Sequence, residues 1–429
     1  MLAERHSHHP LSSDLGPRPS GPASPSHPAR PIPLRDLMPA LANKTYFNYG
    51  GQGPLPSPSL VAINEAFATI QELGPFSDNV WPYVNRTVSA LRQRLAAWFG
   101  VDTARVAFTE NVTSGCVLPL WGLPWQAGDE LLVGDAEHYG VVAALEELAR
   151  RHQLRITTLA VADLAGEAKA TAAAVSERLE AALTPHTRLV VLSHLLWNTG
   201  QTMPIAAVSA QLAAHPGHPW LLVDGAQSLG SLPVAQAASA ADIYACTGHK
   251  WCCGPEGLGA VALSERLLAE SSPTLIGWRS LEHDGPGAGS FHQDARRFEV
   301  ATSCTPLFAG LNCSLELLEA EGNAEGRLLA IRKRSVQLWE GLQRLAGVRT
   351  LLEVPPPAGL VSFTIAGPTG DPMDPAAIVK RLGDQGTWLR TLESPACIRA
   401  CTHLVSTADE VERLLAQLVQ LSVGWKKAL

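Results

Sequence analysis

Apolar and polar positions follow two rhythms along this chain. Leu60, Ile63, Phe67 and Ile70 recur at helical spacing, and Gly74 stands where a helix stops. Val88, Leu91, Leu95 and Trp98 repeat the pattern up to Gly100. Short apolar runs bounded by polar turns follow, at 106–108, 130–133, 155–159, 189–192, 220–223 and 243–246. Helical stretches such as 141–151 and 172–183 separate several of them. Runs that are apolar at nearly every position suit strands buried on both faces. Their alternation with helices predicts an α/β fold on a mostly parallel sheet.

The character changes after about Pro273. Helical stretches at 307–320 and 326–345 lead to a break at Pro355, Pro356 and Pro357. A smaller αβ unit is expected beyond it: strand 360–365, helix 375–382, strands 387–390 and 398–403, and helix 408–421. The length of 429 residues exceeds what one hydrophobic core usually serves. We therefore expect a tail over 1–35, a large domain over 36–305 and linking helices with a small domain over 306–429. Segment 36–60 is free to pack on the small domain. The tail is rich in Pro, Ser and His, has no apolar signal-like core, and cannot offset its ordering entropy by burial. His6, His8 and His9 suit solvated tail residues better than metal ligands, so no metal site is expected.

Hydrophobic residues at 46% and charged residues at 17% exclude a chain disordered throughout. A net charge of −7 lacks the basic excess of a nucleic-acid binder. No apolar run is long enough to span a membrane. The eight cysteines form no C-x-x-C pair, which argues against zinc or a disulfide framework and for a reducing, cytoplasmic setting.

In parallel sheets of this kind, ligands sit beyond the carboxyl ends of the strands. Five strand ends here carry polar residues: 109–115, 135–138, 193–194, 224–227 and 247–250. Lys250 lies in T-G-H-K-W-C-C-G-P-E-G-L-G, just after a buried run. A lysine in a partly desolvated pocket loses basicity and can form a Schiff base. Asp224 ends the run W-L-L-V-D, where a carboxylate can hold a pyridine nitrogen protonated and so make a pyridoxal ring an electron sink. Gln227 can donate to the ring's phenolic oxygen.

V-D-G-A-Q at 223–227, T-G-H-K at 247–250, G-P-E-G-L-G at 254–259 and R-F-E-V-A-T at 297–302 resemble the class V aminotransferase and cysteine desulfurase superfamily of fold-type-I pyridoxal-phosphate enzymes. The resemblance runs from about Ala40 to the C-terminus. It implies a large, mostly parallel seven-stranded sheet domain, a smaller C-terminal αβ domain and pyridoxal 5'-phosphate as cofactor. By the same resemblance, Lys250 is the cofactor lysine and proton shuttle, Asp224 the partner of the pyridine nitrogen, and His138 the residue stacked on the ring. The backbone N–H groups of Thr113 and Ser114 suit the phosphate, with Thr247 and His249. Asn198 is a further cofactor contact, displaced by one position from the family pattern, with Trp197 in the usual place. Thr302 reaches into a neighbouring subunit's site, which implies a homodimer; Ala301 stands where the family usually has Gly. Arg399, with Arg390 before it, matches the family's grip on the substrate carboxylate.

The desulfurases carry a catalytic cysteine in a loop after the position of Arg390. Here that stretch is the short T-L-E-S-P-A-C-I, and Cys397 reads as a packed cysteine. The strings at 42–56, 109–116, 193–201, 247–257 and 275–281 are closer to the cyanobacterial cysteine/cystine C–S lyases. That likeness implies β-elimination of cystine or cysteine to pyruvate, ammonia and a persulfide or sulfide, with iron–sulfur cluster supply as one fate of the sulfur. It also puts Trp278 and Arg279 at the substrate pocket. The alternatives are a cysteine desulfurase, another class V aminotransferase or epimerase acting on a small amino acid, and a catalytically silent dimer of the same fold. Taken singly, each residue has an ordinary explanation: a satisfied core histidine, a helix cap, a surface ion pair. Lys250, Asp224, Gln227 and His249 together, each after a strand in this order, do not.

Overall fold

The expected strand runs pair into two main sheets. The computed structural model describes residues 32–283, 290–367 and 369–426. The tail predicted over 1–35 lies mostly outside them. Leu34 and Arg35, which the sequence pattern leaves in that tail, are held by the fold. Leu34 is buried, and Arg35 forms a two-pronged ion pair with Glu410. The described residues from Leu34 onward form one compact unit.

The strands in chain order are β1 (Thr45–Tyr46), β2 (Val106–Thr109), β3 (Glu130–Gly134), β4 (Arg155–Leu159), β5 (Thr187–Ser193), β6 (Trp220–Asp224), β7 (Ile243–Thr247), β8 (Gly259–Leu263), β9 (Val348–Thr350), β10 (Leu360–Ile365), β11 (Thr387–Trp388), β12 (Arg390–Glu393) and β13 (Ala396–Cys401). Seven form the large sheet in the order β2-β8-β7-β6-β5-β3-β4. Only β8 runs against the others, paired antiparallel with both β7 and β2. Period two explains why the central runs are apolar throughout, whereas the edge strand β4 is mostly exposed. Leu221, Val223 and Tyr244 enter the core on one face, while Trp220, Leu222, Ile243 and Ala245 enter the core on the other. Helices such as Tyr139–His152 and Ala168–Ala182 connect the strands.

The second sheet, β12-β13-β10-β9, packs its core against the helices Ala324–Gln343, Pro375–Asp384 and Ala408–Lys426. Two details differ from the sequence pattern. The strand expected at 387–390 is split: β11 pairs with β1, and Arg390 opens a separate strand. The strand expected at 398–403 runs Ala396–Cys401, because β12 turns directly into it through Ser394 and Pro395. Segment 36–60 does lie against the C-terminal region. β1 pairs with β11, and Phe47 joins the core of the second sheet.

The first helix, Ser57–Leu73, ends at Gly74 as its pattern predicts. Its apolar stripe is not all buried, however. Ile63 packs inward, but Leu60 is 50% exposed and Phe67 47%. No helix among the described residues is long and apolar enough to cross a membrane.

Candidate active site

The carboxyl ends of β2, β3, β5, β6 and β7 meet at one narrow slot. Its walls are Val112, Thr113, His138, Ser193, Leu195, Trp197, Asp224, Ala226, Gln227 and Lys250. All five predicted strand ends contribute. Trp197 also lines a wider cavity of about 690 Å³, together with Asn198, Tyr139, Glu137 and Arg390. The slot therefore sits beside a vestibule large enough for a small-molecule substrate.

Lys250 follows β7 on a tight turn. Burial pulls its amine down to about 8; Arg399 and Arg390 push the same way, and Asp224 opposes them. Neutral amine is thus present near neutral pH, as a nucleophile toward an aldehyde requires. Asp224 closes β6 and is buried. Its Oδ1 accepts the Ala226 N–H at 2.8 Å, and its Oδ2 has no protein donor among the described residues. Thr247 Oγ1 lies 2.8 Å from His249 Nδ1, and burial with the Lys250 charge holds His249 below its usual pKa.

His138 caps the helix Tyr139–His152, its Nδ1 accepting the Gly140 N–H at 3.2 Å. That bond leaves Nε2 carrying the proton of a neutral ring. Burial and Lys250 keep His138 below the usual histidine range, so it stays neutral and suited to stacking. Trp197 meets it edge-on at 5.4 Å.

The helix Val112–Trp121 points its N-terminus at the slot. Here the sequence expectation needs one correction. Asn111 caps this helix, and its Oδ1 takes the Ser114 N–H at 3.0 Å. The unspent donors are therefore the N–H groups of Val112 and Thr113, not that of Ser114. Asparagine at a helix cap captures the third N–H, a signal already present in T-E-N-V-T-S. A phosphate suits the two N–H groups that remain.

Gln227 is in the slot wall, but its amide is already engaged. Nε2 donates to the Gly50 carbonyl at 2.9 Å, and Oε1 accepts from Trp251 Nε1 at 2.9 Å. One Nε2 proton remains for a ligand. Asn198 is buried, with Oδ1 accepting the Thr199 N–H at 2.9 Å, and lies in the vestibule wall rather than the slot.

Arg399, on β13, is 2% exposed. One terminal nitrogen donates to the Trp197 carbonyl at 2.9 Å, the guanidinium touches the Cys401 thiol, and Nε is buried with no partner among the described residues. A buried guanidinium with spare donors and no carboxylate is a ready anion site. Arg390 is exposed in the vestibule wall.

Thr302 and Trp278 are not brought to the slot of their own chain. Thr302 is exposed in a separate groove with Phe298, Val300 and Leu307. Trp278 is 40% exposed and meets Trp81 at 6.0 Å, with Arg279 stacked on it.

Sequence patterning missed the floor beneath Lys250. Tyr49 stacks on His403 at 4.6 Å, and His403 Nε2 bonds the Trp251 carbonyl at 3.0 Å. Gly53 donates to the His249 carbonyl at 2.7 Å, and a side chain there would collide with the Lys250 carbonyl. Gly50 is pressed in the same way against Gln227, Cys401 and Arg399. The signal was the glycine cluster in N-Y-G-G-Q-G-P, which demands close backbone approach.

The model of the family described as aminotransferase class-V matches residues 80–414. Isopenicillin N epimerase of Streptomyces clavuligerus is 30% identical over 414 residues, covering 90% of this chain and 96% of the relative. A probable cysteine desulfurase of Methanothermobacter thermautotrophicus is 23% identical over 91% of this chain and 97% of its own. Among solved structures, the cystine C–S lyase C-DES in complex with its reaction product cysteine persulfide is 44% identical with a TM-score of 0.84, over 89% of this chain and 98% of that one. A C-DES mutant with glycine covalently linked to the PLP cofactor is 43% identical with a TM-score of 0.85, over 90% and 99%.

Proposed function

The chain belongs to the class-V aminotransferase family, and from that premise we propose that it is a pyridoxal-phosphate-dependent carbon–sulfur lyase that splits cystine or cysteine by β-elimination. The residues fit the cofactor: a lone lysine of lowered basicity, a carboxylate with one free oxygen, two unspent N–H groups at a helix end, and a neutral histidine. When bound, the cofactor supplies an electron sink for a carbanion at the substrate's α-carbon. The chain's own groups do the rest. Arg399 holds the α-carboxylate, and Arg390 gives a second contact from the vestibule. Lys250, of lowered basicity, moves the α-proton. Asp224 holds a positive charge at the ring nitrogen. His138 and Trp197 narrow the slot and limit water. Departure of the β-sulfur leaves a dehydroalanine fragment that one water hydrolyses to pyruvate and ammonia, with cysteine persulfide as the sulfur product from cystine.

One observation favours elimination over desulfuration. The place where a desulfurase carries its catalytic cysteine is here the turn Ser394–Pro395 between β12 and β13, with Cys397 locked in the ladder opposite Leu392. Cys397 is buried, and burial pushes its thiol up to about 11. A thiol so placed is neither mobile nor ionised and cannot attack a substrate sulfur. Cystine given to the purified protein should yield pyruvate and ammonia. Alanine, with a persulfide on the enzyme, would overturn the lyase assignment.

An epimerase is the second reading, favoured by the likeness to isopenicillin N epimerase. The same lysine would then return the α-proton instead of expelling sulfur. Loss of α-deuterium from a substrate with inversion and no pyruvate would mark it.

We propose further that two copies of the chain complete each other's sites in a homodimer, each copy with a large and a small domain as the sequence divides them. Large apolar side chains lie exposed at Leu60, Val61, Phe67, Phe76, Trp81, Leu275, Ile276 and Trp278, and Leu275 shares a groove with Thr302. Such exposure is unusual unless covered. Dimer mass in sedimentation, and activity restored by mixing Lys250→Ala with Thr302→Ala chains, are the expected results. The free thiols of the described cysteines support a reducing cytoplasm as the setting.

A further inference from the structure

Glu137 is the buried acid that the proposed reaction leaves unused. It sits on the turn between β3 and His138 and is 7% exposed. Its Oε1 accepts the Ser193 N–H at 2.6 Å, and its Oε2 lies 2.8 Å from Ser193 Oγ. Ser193 is the register partner of Asp224 across β5 and β6. Ser193 and Asp224 line the inner slot, whereas Glu137 lines the outer vestibule. Glu137 thus bridges the two spaces, one residue removed from the carboxylate at the cofactor position.

Neither Glu137 nor Asp224 is ion-paired to a protein cation among the described residues. A negative charge on Asp224 makes ionisation of the buried Glu137 costlier. Burial and then Asp224 push Glu137 up to about 8, against the two Ser193 bonds. The Ser193 hydroxyl can donate or accept, so the same 2.8 Å contact serves either charge state of Glu137. Other ionisable groups face this region. Asp135, His138, Tyr139 and Glu146 come from its own turn and helix, Cys116 from the helix Val112–Trp121, Arg390 and Glu393 from β12 across the vestibule, and Lys250 faces Asp224 from the slot. Asp224 exerts the strongest charge effect on Glu137.

We propose that Glu137 is charge-coupled to Asp224: when a cation pairs with Asp224, Glu137 gives up its proton to solvent through the vestibule. The coupling rests on the cofactor assignment, because the cation is the protonated ring nitrogen. The carboxylic O–H bond breaks, the proton passes to water, and the carboxylate left behind is held by the Ser193 N–H and O–H. Ionised Glu137 then adds negative potential behind Asp224, so it is a positioning residue for the ring's charge. Proton release on binding makes cofactor affinity rise with pH, by at most about tenfold per pH unit for one proton.

The test titrates apoprotein with pyridoxal phosphate by calorimetry below about pH 8, in buffers of different ionisation enthalpy, for wild type and Glu137→Gln. Wild type should release more protons than the variant, by up to one per site. Its affinity should also rise more steeply with pH. The infrared difference spectrum of wild type, apo minus loaded, should show loss of a protonated-carboxyl band; this reading does not require the variant to fold. Equal proton counts, or an unchanged carboxyl band, would overturn the coupling while leaving the cofactor assignment intact. An apoprotein that takes up no cofactor would overturn both.

Discussion

Arg390 and Arg399 are register partners across the β12–β13 ladder, Arg390 adds to the cost of charge on Arg399, and neither is paired to a protein carboxylate among the described residues. Like charges directly opposite one another destabilise a sheet. Arg399 adds the desolvation of a buried cation. The fold carries that strain where an anionic substrate would relieve it.

Arg399→Met should separate stability from function. Replacing the buried charge by an apolar chain of similar length should leave folding unchanged or better by about 1–4 kcal/mol. Loss of the carboxylate contact should cost about 2–5 kcal/mol of substrate affinity, read as a KM at least about 30-fold higher. Arg390→Met, at an exposed position, should change KM less. Denaturant melts beside steady-state kinetics measure both, and an unaltered KM for Arg399→Met would remove its assigned role.

Asp224→Ala should still bind cofactor through Lys250 but lose about 2.7–4 kcal/mol of transition-state stabilisation, a fall of about 10²–10³ in kcat. Lys250→Ala should retain no pyridoxyl adduct after borohydride treatment. Rapid-quench kinetics and peptide mass spectrometry check the pair.

The lowered basicity of Lys250 predicts a pH profile. Its amine loses its proton near 8 in the fold but near 10.5 when unfolded. Capture of pyridoxal by apoprotein should therefore rise with a midpoint near 8. The penalty of holding a buried ammonium is fully present below 8 and is relieved as pH climbs toward 10.5, so apoprotein stability gains over that window relative to Lys250→Met. A capture midpoint near 10.5 would contradict the desolvated environment.

Cys397→Ala should keep cystine elimination within about twofold and cost about 1 kcal/mol of stability, as a packing substitution does. A desulfurase would lose its sulfur transfer entirely. Pyruvate assays on the variant distinguish the two.

His194 and His403 should make the protein acid-sensitive. Burial drives both down to about 4 from the ordinary 6.5. The unfolded chain therefore binds more protons between those values, and stability should fall as pH drops from 6.5 toward 4. His403→Gln should flatten part of that slope in thermal melts.

Much of the fold was legible because buried parallel strands are apolar at every position and their ends are polar. The six runs from 106 to 246 all proved to be strands of the large sheet, and the ends of five of them meet at the slot. The Ser193–Glu137 contact was not legible, because it joins residues 56 apart through side chains that each have commonplace local roles. The split of 387–390 was equally hidden. Which strand a short β-run joins depends on partners, and the partner of Thr387 is Thr45 near the other end of the chain.

By itself, the order of residues determined the strand and helix rhythm and the set of groups able to carry the chemistry, because periodicity and residue type are local properties. Only the tertiary structure decided which of those groups share a space. Asn111 took the Ser114 N–H, the turn at Ser394–Pro395 sealed Cys397 inside a ladder, and Thr302 and Trp278 lay outside the slot that holds their own lysine. Distance, burial and hydrogen-bond competition are set by how distant segments pack, and no local pattern encodes them.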